Sequence, residues 1–331
     1  MEPLLIIPLI LSFLITLFFI PAWIKKARQI KLVWEDMNKK NKTKKIAGSG
    51  GIVVVFGFIL GVLIYVALKT FYFNSTENLI EVFAILTSIL IISVVGLIDD
   101  LFGWQKGGLS KRSRIILFLF AAIPLIVINA GESSMIGIEF GLLYPLFLVP
   151  LGIIGASATY NFLAGYNGLE ASQGIIILSS LSLVTLLMGN GWLSLISLIM
   201  VICLIAFYMF NKYPSKIFPG DVLTYSIGTL IAIIAILGNI EKIAVFIFIP
   251  YILETILKVR GKLKKYSFAK INKDGSLDVP YKKFYGVEHI SIYLLKKFKD
   301  KVHEKDVVYL INSFQIVIII IAFILFGGEI F

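Results

Sequence analysis

The chain has 331 residues, 58% hydrophobic and 15% charged, with a mean hydropathy of +0.93, and this excludes an ordinary soluble domain, where about 25% of residues are charged. Its formal net charge of +11 would suit nucleic acid in a soluble protein. In so apolar a chain the positions of lysine and arginine report membrane orientation instead, and we expect no nucleic-acid partner.

A helix needs about 20 predominantly apolar residues to cross the bilayer. Ten such runs are predicted, at 3–24, 51–68, 81–98, 115–130, 142–160, 174–188, 192–210, 222–237, 243–257 and 307–326. The expectation is an all-α integral membrane protein of about ten transmembrane helices in one domain, 1–331, with 258–305 as a small cytoplasmic insertion. The first run opens on Glu2 and its lysines follow it, so it reads as an uncleaved span rather than a signal peptide. The single cysteine, Cys203, lies inside an apolar run, so neither a disulfide nor a cysteine zinc site is available.

Of the 31 Lys+Arg, nine follow the first run (25–45), four the third (106–114), two the seventh (212–216) and fourteen the ninth (258–305). The positive-inside rule makes the odd-numbered loops cytoplasmic and places both termini outside. Asn74-Ser75-Thr76, after the second run, is a glycosylation sequon on the predicted outer side.

The polar motifs fall on the same odd loops. "WEDMNKK" and "AGSGG" follow the first run. "GLIDDLFGW" places Asp99 and Asp100 at the end of the third, where an isolated pair would also fit a solvated helix end opposing the helix dipole. "NFLAGYNGLE", after the fifth, sets Asn161, Gly165 and Asn167 in a lysine-free loop, with glycines that let a ligand approach the backbone. "FPGD" puts Asp221 at or near the N-cap of the eighth, which on its own needs no ligand. Oxygen donors without nearby histidine or cysteine suit Mg²⁺ or Mn²⁺, usually shared with substrate phosphates. In the ninth loop "NKDGS" predicts a hairpin turn. Beyond it Val287, Ile290, Tyr293, Leu294 and Phe298 fall on one helical face with lysines opposite, the pattern of an interfacial helix.

Together these stretches, spread over nearly the whole chain, resemble the polyprenyl-phosphate N-acetylhexosamine-1-phosphate transferases. Within them they are most similar to the eukaryotic and archaeal UDP-N-acetylglucosamine:dolichyl-phosphate enzymes, since bacterial cell-wall members carry aspartates where this chain has Ala164 and Asn167. The resemblance implies transfer of N-acetylglucosamine-1-phosphate from UDP-N-acetylglucosamine to a polyprenyl (dolichyl-type) phosphate at the cytoplasmic face, releasing UMP. It implies Asn161 and Asp221 as ligands of Mg²⁺ (or Mn²⁺), and Asp99 and Asp100 as the acidic pair. Arg114 aligns with the basic residue that follows that pair, where a lysine is usual, and Lys111 could serve instead. Met37, Gly165, Asn167 and Phe218 match the uridine pocket, with Asp36 and Lys39 also assigned to substrate. The family's Arg/His-rich ninth-loop motif is replaced by "KLKKYSFAKIN", where Lys265 and Lys270 are the candidate substitutes. A homodimer and another UDP-N-acetylhexosamine are both compatible with the sequence. The rival class is a transporter or lipid flippase, which would gather ionisable groups near the midplane in paired repeats. The repeated Asp/Gly/Arg signature of CDP-alcohol phosphotransferases is absent.

Overall fold

The computed structural model describes residues 3–39, 45–132, 134–135 and 138–330. The first-loop lysines at 40, 42 and 44 lie outside them. In chain order the helices are α1 (Ile6–Gln29), α2 (Gly51–Ala67), α3 (Leu79–Lys106), α4 (Lys111–Val127), α5 (Val149–Tyr160), α6 (Leu169–Leu187), α7 (Gly191–Asn211), α8 (Asp221–Leu237), α9 (Glu241–Ile247) and α10 (Ile249–Arg260). After the ninth loop come α11 (Val287–Leu295), α12 (Glu304–Leu325) and the short α13 (Gly327–Ile330). Three antiparallel ribbons connect them: β1 (Val33–Glu35) with β2 (Lys45–Ala47), β3 (Ser134–Met135) with β4 (Ile138–Glu139), and β5 (Lys270–Ile271) with β6 (Leu277–Asp278).

Among the described residues six helices are long and apolar enough to cross a bilayer: α1, α2, α3, α6, α7 and α12. The other four predicted spans also fall on helix, but on shorter or interrupted pieces. α4 and α8 have 17 residues each, about 25 Å at 1.5 Å per residue. A π turn, Tyr144–Leu148, leads into α5, and Phe248 separates α9 from α10. Protein rather than lipid surrounds α8, whose residues Val222 to Ile236 are all buried.

Without a hydrophobic drive between helices in lipid, small residues at the contact let backbones approach. Gly96 on α3 does this against α8: a Cβ there would lie 2.5 Å from the Cα of Val222. That contact brings the third loop to the start of α8.

Two expectations about local structure change. α3 continues to Lys106, so Asp99 and Asp100 are not at its end but inside the ladder, 1% and 6% exposed. The helix runs on because Gly107, at φ +90°, is the first residue to leave it. In the ninth loop, the turn at Gly275 joins β5 to β6. There α11 stops at Leu295 and buries Val287, Glu288, His289, Ser291 and Ile292. Val287 is thus packed inward while Tyr293, Leu294 and Phe298 are exposed, and the single predicted face is split. Glu254 of α10 causes this by accepting the Val287 N–H at 2.5 Å, which draws the start of α11 inward.

Candidate active site

Asp99 is held from three sides. Its Oδ1 accepts the Leu109 N–H at 2.8 Å and an Arg114 guanidinium N–H at 3.1 Å. Its Oδ2 accepts the Tyr225 hydroxyl at 2.9 Å and pairs with Arg114 Nε at 2.6 Å. Arg114 sits in the first turn of α4, whose N-cap Ser110 accepts the Ser113 N–H, so the helix start aims the guanidinium back at α3.

Asp100 serves a different partner. Its Oδ1 accepts the Asp221 N–H at 2.7 Å, placing a carboxylate at the positive end of α8. The N-cap of α8 is Gly220, and Asp221 is the first helical residue with no capping bond from its side chain, so the capping explanation for Asp221 fails. Gly220 takes φ +73° and its Cα faces Asp100 Oδ2 where a Cβ would collide, which is why glycine precedes the aspartate. Asp100 Oδ2 is buried without a hydrogen-bond partner among the described residues. Asn161, at the C-cap of α5, accepts the Thr224 hydroxyl on Oδ1 at 3.0 Å, and the same hydroxyl lies 3.3 Å from the Asp221 carbonyl.

Asp100, Asp221 and Asn161 are hard oxygen donors, one of them unsatisfied, and so fit a divalent cation. Among the described residues no three His, Cys, Asp or Glu converge to hold an ion alone. An ion bound there would need further oxygens beyond these three.

Two cavities meet at these residues. The larger, about 680 Å³, is lined by Glu35, Asp36, Asp99, Asp100, Glu170 and Asp221, with Arg114 its single cation among the described lining residues. Met37, Asn161, Gly165 and Phe218 also line it. The second, about 430 Å³, is lined by Lys111, Arg114, Lys258 and Lys265 with no carboxylate among its described residues. Arg114, Asn161, Ala164 and Phe268 belong to both. An acidic chamber and a basic one therefore share a wall.

The remaining sequence candidates divide. Asp36 lines the acidic cavity, but Lys39 and Asn167 line neither. Lys39 pairs with Asp36 at 3.6 Å and with Glu304 of α12. Asn167 donates its N–H to Glu304 at 2.7 Å and its amide to Asp36 at 3.3 Å. These two buttress the loops rather than face the chamber. Lys265 stands over the Tyr281 ring at 5.0 Å, at the basic cavity. Lys270 lies exposed on β5 and lines neither cavity, because the two-residue strand directs it away from the rim.

Sequence reasoning did not single out Glu170, Tyr225, Lys258 or Glu304. Glu170 is 5% exposed and accepts the Gly165 N–H at 2.8 Å, fixing the loop between Asn161 and α6. Its signal was present as the only carboxylate in "NFLAGYNGLE". Asn38 joins this frame, donating to the Gly165 carbonyl at 3.1 Å and accepting the Ala269 N–H at 3.2 Å.

Glycosyl transferase family 4 matches residues 82–239. A Saccharolobus solfataricus protein is 35% identical over 97% of this chain and 96% of its own length, and is named provisionally as a UDP-N-acetylglucosamine–dolichyl-phosphate N-acetylglucosaminephosphotransferase. The Dictyostelium discoideum protein that bears this name outright is 31% identical over 74% of this chain and 69% of its own. A Streptococcus pyogenes phospho-N-acetylmuramoyl-pentapeptide-transferase is 26% identical over 76% of this chain and 77% of its own.

Proposed function

The chain belongs to glycosyl transferase family 4, the polyprenyl-phosphate N-acetylhexosamine-1-phosphate transferases, and from that premise we propose that it transfers N-acetylglucosamine-1-phosphate from UDP-N-acetylglucosamine to a dolichyl-type phosphate. An oxygen of the carrier phosphate attacks the sugar-proximal phosphorus. The bond to the uridylyl oxygen breaks, and UMP leaves with that electron pair. The observation that carries this reading is the pair of adjoining cavities of opposite charge with Arg114 and Asn161 in their common wall.

The acidic chamber takes the nucleotide sugar, and Asp221, Asn161 and the unpartnered oxygen of Asp100 would hold Mg²⁺ beside it. When bound, that ion neutralises the pyrophosphate and withdraws charge toward the leaving group. The basic chamber takes the carrier phosphate, and the isoprenoid chain leaves past Ile115 and Leu263, 54% and 39% exposed. Arg114, fixed by Asp99, which the Tyr225 hydroxyl holds in turn, faces both substrates and offsets the charge that builds between them. The carrier's second phosphate pKa is near 6, so it is mostly dianionic at neutral pH and no residue must remove a proton. With the lysine-rich loops at the same end as both chambers, the reaction belongs to the cytoplasmic face.

Purified full-length protein incubated with UDP-N-acetylglucosamine, a polyprenyl phosphate and Mg²⁺ should release UMP only when both substrates are present. EDTA should stop it, and Asp221→Ala should lower it by about 10²-fold or more. Absence of UMP release, or undiminished release from Asp221→Ala, overturns the proposal.

A further inference from the structure

The basic cavity has one lysine unlike the others. Lys111 and Lys265 are exposed, whereas Lys258, at the end of α10, has a side chain only 10% exposed. Its ammonium lies 3.3 Å from Glu254 Oε1, one helical turn earlier, and donates to the Ser267 hydroxyl. Both Lys258 and Ser267 line the cavity. Behind it are buried Glu288 and buried His289; among the described residues neither the Glu288 carboxylate oxygens nor His289 Nε2 have a hydrogen-bond partner. Burial and the charge of Glu254 push Glu288 well above the usual carboxylate range. Burial, then Lys258, pushes His289 down to about 4. The imidazole is therefore neutral and adds no charge, leaving Lys258 as the cation of this cluster.

A buried ammonium held by two partners in the lining of a cation-rich cavity is a preorganised anion site, and its desolvation strengthens each contact it makes. We propose that Lys258 contacts the phosphate of the lipid carrier, with Glu254 as the positioning residue that holds the ammonium at the cavity floor. This rests on the reading that the basic cavity receives the carrier. It adds an anion-gripping residue on α10 to the two ninth-loop candidates of the sequence, of which Lys265 lines the same cavity and Lys270 lines neither.

Removing Lys258 alone would strand buried carboxylates and could unfold the ninth loop, so the test pairs Lys258→Met with Glu254→Gln and adds Lys258→Arg. Binding of a polyprenyl phosphate and of the matching polyprenol to the full-length protein in nanodiscs is measured without nucleotide, and steady-state UMP release separately. The unmodified protein should prefer the phosphate. The double variant should lose about ten- to a hundredfold of that preference, the range for a hydrogen bond to a charged group. Its KM for the carrier should rise while its KM for UDP-N-acetylglucosamine stays put, and Lys258→Arg should recover part of the loss. Two results overturn the assignment: a double variant that keeps the full phosphate preference, or equal rises in both KM values. Absence of phosphate preference in the unmodified protein overturns it as well. Intact preference without UMP release sinks only the reaction assigned above and leaves Lys258 as an anion-binding residue.

Discussion

Adjacent aspartates do different work here because successive helical residues point about 100° apart. Asp99 turns to Arg114 on α4 and Asp100 to the start of α8. Both oxygens of Asp99 accept hydrogen bonds and are paired with a guanidinium, so it acts by holding Arg114. Asp99→Asn should therefore lower kcat by about 10²-fold at both pH 6 and pH 8, the size of effect expected when a charged group is displaced by about 1 Å. Recovery of the rate at pH 8 would instead make Asp99 the base that deprotonates the monoanionic carrier. The pairing of the two residues was readable in "GLIDDLFGW". Their division of labour was not, since it depends on which helix each one faces.

At the scale of elements, hydropathy marks where contact with lipid ends, not where a helix ends. That is why α3 outruns its apolar run and carries the aspartates two turns inside its end. Pairings such as Lys39 with Glu304, separated by 265 residues, leave no local pattern, and so the frame behind the acidic chamber was invisible in the sequence. The contact at Gly96 is equally silent. Because its neighbour is Val222 backbone rather than a movable side chain, Gly96→Ala must push α3 from α8 and separate Asp100 from Asp221. A loss of about 1–3 kcal/mol in stability and about 10²-fold in turnover is expected, read by thermal unfolding and UMP release. Gly155→Ala on α5, where a Cβ meets nothing within 4 Å, should leave turnover unchanged. Wild-type Tm and rate in Gly96→Ala would show that the close approach is dispensable.

Across the whole molecule, polarity is sorted by end. The first, third, fifth, seventh and ninth loops all contribute to the two cavities. At the opposite end the Glu132 N–H donates to Asn239 at 2.9 Å, Tyr144 bonds Glu241, and Lys242 pairs with Glu329 at 3.1 Å. This sorting was legible in the sequence because lysine placement and motif placement agree loop by loop. It also disfavours a transporter, whose ionisable groups would cluster at midplane; Glu254, the carboxylate set within an apolar run, belongs through Lys258 to the catalytic end. On the proposed reading that end faces the cytoplasm, and the chain offers a clean way to check it. Its one cysteine, Cys203, is fully buried, so a single introduced thiol can be read without removing it. In right-side-out cells an impermeant maleimide should label Thr76→Cys, exposed before α3, at once. It should label Lys273→Cys, exposed at the tip of the β5–β6 hairpin, only after the membrane is opened. The reverse pattern would put both chambers outside, away from a cytosolic nucleotide sugar, and the proposed reaction could not then draw on that substrate.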